Sequence, residues 1–270
     1  MIEIFTDAGY DISILRTKTI GDIDTHLARP DAKQLDTIVS CGGDGTLNLV
    51  INAILKYDLP AKVGIIPSGT ANDFARFLEI EKPFSEAANV IAAGKTKKID
   101  IGTLNDKYFI NVFGCGLLTN ISNHVDPSLK NTLGNMAYYM KAIEKLNQIE
   151  PMPITIKHSD GLIEEDIYFL LALNTSSAGG FDRLVEDCDL SDGLLDFIGV
   201  KSCSIPDIMS LLVKFFRHDH ISDENIIHFK DNNVEIYGPT DFETNIDGEH
   251  GAPLPAKIGL LPQRIEIFIP

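Results

Sequence analysis

Two short loops constrain this chain more than any other feature. Each follows a run with buried-strand character and opens a segment with helical spacing. The first, Cys41-Gly42-Gly43-Asp44-Gly45-Thr46, follows Leu35-Asp36-Thr37-Ile38-Val39-Ser40 and precedes apolar residues at 47, 50, 51, 54 and 55. The second, Pro67-Ser68-Gly69-Thr70-Ala71-Asn72-Asp73-Phe74, follows Lys62-Val63-Gly64-Ile65-Ile66 and opens a helix over Ala71 to Leu78. A further helix is expected over Phe84 to Ala93, closed by Gly94. Strand-loop-helix alternation predicts βαβ units and a parallel sheet. Sheets of that kind bind ligands in a crevice beyond the C-terminal ends of their strands.

The loop chemistry narrows the ligand. Glycine lets a backbone turn tightly and come close to a ligand. A helix N-terminus aims unpaired N–H groups at the loop before it, a setting that favours phosphate. Gly42, Gly43, Gly45, Thr46, Ser68, Gly69, Thr70 and Asn72 are the candidate binding residues. Asp44 does not suit phosphate; it suits a Mg²⁺ contact, a ribose contact or a helix cap. Gly94-Lys95-Thr96 has the tail of a Walker A loop, but Asn89 stands where its first glycine belongs, and no GxGxxG occurs. The phosphate site is therefore expected from backbone amides and hydroxyls.

The pattern changes near residue 100. Strand-like runs follow at Tyr108–Phe113, Ile154–Lys157, Tyr168–Leu173, Leu194–Val200, Asn233–Tyr237, Phe242–Ile246 and Ile265–Ile269, with one long helix over Leu133–Ile149. Ile12–Leu15 reads as an additional early strand. The expected fold class is α/β. A nucleotide-binding domain with a parallel sheet occupies 1–101, and a β-rich antiparallel sandwich domain occupies 102–270. Strand 264–270 is expected to return to the first domain, and a cleft is expected between the two.

With 23 basic against 39 acidic side chains the net charge is −16, which argues against nucleic acid as a partner. No apolar run reaches the ~18 residues of a spanning helix, and the start lacks the features of a signal peptide. Cys41, Cys115, Cys188 and Cys203 show no CxxC spacing and read as free thiols. A cytoplasmic protein is expected.

The two loops together carry a resemblance. Gly42-Gly43-Asp44-Gly45-Thr46 with Gly64-Ile65-Ile66-Pro67-Ser68-Gly69-Thr70-Ala71-Asn72-Asp73-Phe74-Ala75-Arg76 resembles the catalytic domain of the diacylglycerol kinase superfamily, in its soluble bacterial lipid kinase branch. Lys98–Gly102 resembles the family's entry into its second domain, Asp189–Asp196 its DDGLLD loop and Ile246–Glu249 its DGE segment. The resemblance implies a two-domain fold with the active site in the cleft. It implies ATP and Mg²⁺ as cofactors, and transfer to a hydroxyl of diacylglycerol or a related lipid. It further implies peripheral contact with the inner face of the membrane that holds the lipid substrate. A homodimer through an exposed strand edge is a further expectation.

By the same resemblance, Asp44, Thr46 and Thr70 line the nucleotide site, and Asp73 and Asp100 support metal and substrate positioning. Glu249 is the general base. Asp192, with the backbone carbonyls of Asp189 and Leu194, holds a structural Mg²⁺. If the segment is extended, Asp247 and Glu249 lie on one side. The chain departs from the family at its start. Met1–Tyr10 resembles the end of the first helix, so the family's first strand and its Asn-Pro-x-Ser-Gly loop have no counterpart. Two alternatives follow: an NAD kinase, which shares the Gly42–Thr46 pattern, and a nucleotide-binding protein with impaired catalysis. The loop 69–76 favours the lipid kinase. Outside this pattern, His218-Asp219-His220 with Asp223 and Glu224 reads as a solvated loop or a metal site. Ile208–Arg217 reads as a core helix or a membrane-touching one.

Overall fold

The computed structural model describes residues 1–80, 83–116, 151–177, 183–240, 242 and 244–270. The first half has β1 (Thr37–Gly42), α3 (Asp44–Tyr57), β2 (Lys62–Pro67), α4 (Asp73–Phe77) and α5 (Phe84–Ala93). Before them lie α1 (Ile2–Asp7) and α2 (Gly21–Leu27). β1 and β2 run parallel, with Thr37 opposite Lys62 and Gly42 opposite Pro67. Both strands therefore end at the same level, and both glycine loops leave from one rim. The predicted stripe of α3 is buried: Leu47, Val50, Ile51, Ile54 and Leu55 all face the core.

Strands then dominate. β3 (Thr96–Leu104), β4 (Lys107–Phe109) and β5 (Val112–Gly116) are followed by β6 (Met152–His158), β7 (Gly161–Leu173) and β8 (Leu195–Lys201). After α6 (Ile205–Phe216) come β9 (Ile226–Asp231), β10 (Asn233–Tyr237), β11 (Thr244–Ile246), β12 (Glu249–His250) and β13 (Ala256–Phe268). Among the described residues these strands form one connected sheet, ordered β1-β2-β13-β10-β6-β7-β5-β11-β12, with β3, β4, β8 and β9 branching from it.

β13 is the junction. It pairs antiparallel with β10 through Ala256–Gly259, and with β3 from Leu104↔Ile258 to Thr96↔Phe268. It also pairs parallel with β2 through Ile267 and Val63. Its two ends serve two cores. Ile265, Ile267 and Phe268 pack with Ile51, Val63, Phe74 and Ile91, whereas Ala256 and Ile258 pack with Phe109, Ile156, Phe197 and Val234. β3 divides its residues the same way, Ile99 and Ile101 to the first core and Leu104 to the second. Residue 101 lies inside β3.

Several expectations change. Ile12–Leu15 is not a strand: β1 is the edge of the sheet and pairs with β2 alone, and residues 12–15 do not add to its open side. Ile14 and Leu15 accordingly lie exposed. The helix expected over Ala71–Leu78 is shorter, starting only at Asp73 because Asn72 holds a left-handed φ of 52°. Tyr168–Leu173 and Ile265–Ile269 are the ends of longer strands. The helix expected over Leu133–Ile149 lies outside the described residues. No helix among the described residues is long and apolar enough to cross a membrane.

Ile267 is fully buried at the β2–β13 junction. Ile267→Ala is expected to cost about 2–5 kcal/mol in denaturant unfolding. A loss below about 1 kcal/mol would mean that Ile267 is not closely packed in the first core.

Candidate active site

The two glycine loops meet backbone to backbone. The Ser68 N–H donates to the Gly42 carbonyl at 2.8 Å. A Cβ placed on Gly69 would lie 2.5 Å from the Gly43 Cα, so only glycine allows this approach. Asn72 is buried and fixes the second loop twice. Its Oδ1 accepts from the Gly69 N–H, and its Nδ2 donates to the Gly69 carbonyl, both at 2.8 Å. Asp44 joins the loops electrostatically. Its oxygens accept from the N–H groups of Asp73 at 3.1 Å and Phe74 at 3.0 Å. The capping role read from the sequence is therefore real, but the helix capped is α4, not Asp44's own. Asp73 is in turn paired with Arg76. Gly45, Ser68 and Thr70 remain exposed on the rim, beside Thr46. The first turn of α3 leaves the N–H groups of Asp44, Gly45 and Thr46 without intrahelical acceptors.

Glu249 opens β12, but the stretch from Asp247 to Glu249 is a turn and not extended. Ile246 pairs with Glu249 in a hairpin whose two turn residues, Asp247 and Gly248, have φ values of 48° and 91°. Asp-Gly with two positive φ angles is the preferred composition for such a turn. Glu249 is exposed, whereas the Asp247 carboxylate points inward. Its Oδ1 accepts from the N–H groups of Asn111 at 2.9 Å and Val112 at 2.8 Å. Its Oδ2 accepts from the Ile110 N–H at 2.7 Å and from Asn48 Nδ2 at 2.9 Å. The Asp247 N–H donates to the Val112 carbonyl at 2.9 Å. Asn48 is thus a residue that sequence reasoning passed over, and Asp247 one that it set beside Glu249 without this role. The Asp-Gly turn signal at 247–248 was the available clue. Nothing local marks Asn48.

Burial lifts the Asp247 carboxyl from 3.8 to about 6, against the lowering effect of its backbone hydrogen bonds, and the nearby Asp44 charge adds to the rise.

Asp100 is fully buried. Its Oδ2 accepts from the Gly193 N–H at 2.8 Å and its Oδ1 from the Gln263 N–H at 2.6 Å. Its own N–H donates to the Leu190 carbonyl at 2.6 Å. It sits opposite the bulge in β13 between Leu261 and Ile265, and ties the 189–194 loop to β3. In that loop Asp189, Asp192 and Leu194 are exposed. The Asp189 carboxylate is committed to Lys97 at 2.7 Å and to Ser191, which hold it below the usual carboxylate range. Asp192 Oδ1 accepts from the Leu194 N–H at 3.0 Å, and its Oδ2 lies 3.7 Å from Lys230. His218 and His220 do not converge. His220 is buried, with Nε2 2.9 Å from the Leu184 carbonyl, while His218 is exposed. Among the described residues no group of three or more His, Cys, Asp or Glu side chains is set to hold a metal.

Both halves of the chain match known families. Residues 1–104 match the diacylglycerol kinase catalytic domain, and residues 112–269 match the YegS C-terminal NAD kinase beta sandwich-like domain. A diacylglycerol kinase of Bacillus subtilis (strain 168) is 36% identical over 100% of this chain and 89% of its own. One of Staphylococcus epidermidis is 38% identical over 97% of this chain and 83% of its own. A crystal structure of a diacylglycerol kinase from Bacillus anthracis str. Sterne superposes with a TM-score of 0.81 at 26% identity, covering 100% of this chain and 90% of that one. The chain belongs to the diacylglycerol kinase family and is a lipid kinase. An NAD kinase from Archaeoglobus fulgidus in complex with ATP shares the fold, with a TM-score of 0.53 at 11% identity over 98% of this chain and 86% of that one.

Two outcomes are expected. Gly69→Ala forces the loops apart and should weaken ATP binding at least tenfold, as read by isothermal titration, with the fold intact by circular dichroism. The second concerns pH. The folded Asp247 carboxyl binds its proton more tightly than the unfolded one, so its favourable contribution is full below the ordinary 3.8 and is lost as pH rises through about 6. Across that window the wild type should lose unfolding free energy relative to Asp247→Asn, by about 1.4 kcal/mol per unit of pKa separation. A difference that stays flat from acid to neutral pH would mean the carboxyl is solvated.

Proposed function

We propose that this chain transfers the γ-phosphoryl group of ATP to a hydroxyl of diacylglycerol or a related lipid, with Mg²⁺ bound alongside the phosphates. The observation that carries the reading is the facing pair: two glycine loops fused backbone to backbone, and a carboxylate-bearing hairpin pinned to the helix that begins in the first loop. The exposed groups of Gly45, Thr46, Ser68 and Thr70 are free in kind to bind phosphate oxygens through N–H and O–H donors. Gly42, Gly43, Asp44, Gly69 and Asn72 set the shape of that cradle.

Transfer forms a bond between the lipid hydroxyl oxygen and the γ-phosphorus. It breaks the bond from that phosphorus to the β–γ bridging oxygen, which leaves with ADP. Glu249 accepts the hydroxyl proton. Asp73 and Asp100 act by position, the first beside the cradle and the second through the 189–194 loop. Mg²⁺ supplies charge neutralisation at the phosphates. The donor set in the loop fits a second Mg²⁺ in kind, since this ion takes carboxylate and carbonyl oxygens. Asp192 would supply the carboxylate and Asp189 and Leu194 their carbonyls; the Asp189 carboxylate is spent on Lys97. Such an ion would stiffen the loop that Asp100 holds.

The acceptor lipid lies in a membrane, so the enzyme works at a lipid surface as a peripheral protein. The test is γ-phosphoryl transfer from labelled ATP with Mg²⁺, on mixed micelles of diacylglycerol, with NAD⁺ as a parallel acceptor. Label is expected in the lipid, and Glu249→Gln should lower that transfer by 10²-fold or more. Label on NAD⁺ alone would sink the lipid reading, and a fully active Glu249→Gln would remove Glu249 as the base.

A further inference from the structure

We propose that Asn48 is a positioning residue for the transfer, holding the Glu249 hairpin in register with the phosphate cradle through Asp247. The inference rests on Glu249 being the base. Asn48 lies four residues beyond Asp44 on α3, hence on the same helix face and about 6 Å further along the axis. It is buried, and its amide has one possible orientation. Oδ1 accepts from Asn52 Nδ2, a further turn along α3, so Nδ2 must face the Asp247 carboxylate. Asn52 Nδ2 also reaches the Asn48 carbonyl at 3.0 Å and the Tyr108 carbonyl at 3.4 Å, which fixes the donor that orients Asn48.

The other bonds to Asp247 come from the backbone N–H groups of Ile110, Asn111 and Val112. They hold the turn against the β4–β5 connection, whose Ile110 packs in the first core. The Asn48 bond instead refers the turn to the helix whose first residues shape the cradle. Among the described residues it is the side-chain hydrogen bond that ties the Asp247 carboxylate to α3. Phosphoryl transfer depends on the distance between acceptor oxygen, base and γ-phosphorus, and a displacement near 1 Å can cost about 10²-fold. A contact that fixes the base relative to the cradle therefore bears on turnover and not on nucleotide affinity.

The experiment compares wild type, Asn48→Leu, Asn48→Ser, Glu249→Gln and Asn48→Leu/Glu249→Gln on diacylglycerol micelles, with kcat and the KM for ATP measured for each. Asn48→Ser is the milder change should Asn48→Leu fold poorly, since its hydroxyl cannot span to Asp247. Folding is checked by circular dichroism. Both Asn48 variants should lose at least tenfold in kcat with the ATP KM within about twofold. The double variant should be no slower than Glu249→Gln alone, because the two residues act through one group. Additive losses, an unchanged kcat, or an ATP KM that rises in step with the loss would each overturn the assignment. A Glu249→Gln enzyme with wild-type turnover would instead sink the base on which it rests, and is read from that variant alone.

Discussion

The pairing of β13 with β2, β3 and β10 is the interaction on which the rest depends. A single strand near the end of the chain closes the parallel sheet of the first half and founds the antiparallel sheet of the second. Its first half packs into one core and its last residues into the other, so neither core is complete without it. The bulge between Leu261 and Ile265 is part of that role. It opens the ladder opposite Asp100, whose carboxylate then takes the freed Gln263 N–H and reaches Gly193 in the loop beyond. One irregularity in one strand thus sets where the 189–194 loop stands.

The catalytic constellation divides into what local backbone chemistry dictates and what only the assembled sheet can supply. The phosphate cradle belongs to the first kind. Gly43 and Gly69 are there because two backbones touch, and Asn72 because its amide matches the donor and acceptor of Gly69. These demands attach to particular residue types in short order along the chain, which is why the pairing of the two loops was legible in the sequence. The hairpin that carries Glu249 belongs to the second kind. Its position is decided by a carboxylate four donors deep, and the donors come from residues far away in the chain.

That distinction explains what was legible. The fold class, the parallel β1–β2 pair and the stripe of α3 follow from periodicity and loop composition. Ile12–Leu15 has the composition of a strand yet forms none, because strand formation needs a neighbour and periodicity does not reveal one. Asp247 was read as an extended companion of Glu249, although Asp-Gly already favours a turn with positive φ angles. Asn48 could not be found by pattern. It follows Leu47 inside an apolar helix stripe, and its partner lies 199 residues away. Asp100 shows a related limit, since its motif is visible but its full burial and its two backbone partners are not.

The continuous ladder through β13 has a mechanical consequence. Where two domains meet across a linker, a cleft opens as a jaw does. Here both halves share one hydrogen-bonded sheet, and parting them would break the pairings of β13 with β2, β3 and β10. Movement between the halves is then a matter for the loops at the rim rather than for the sheet beneath them.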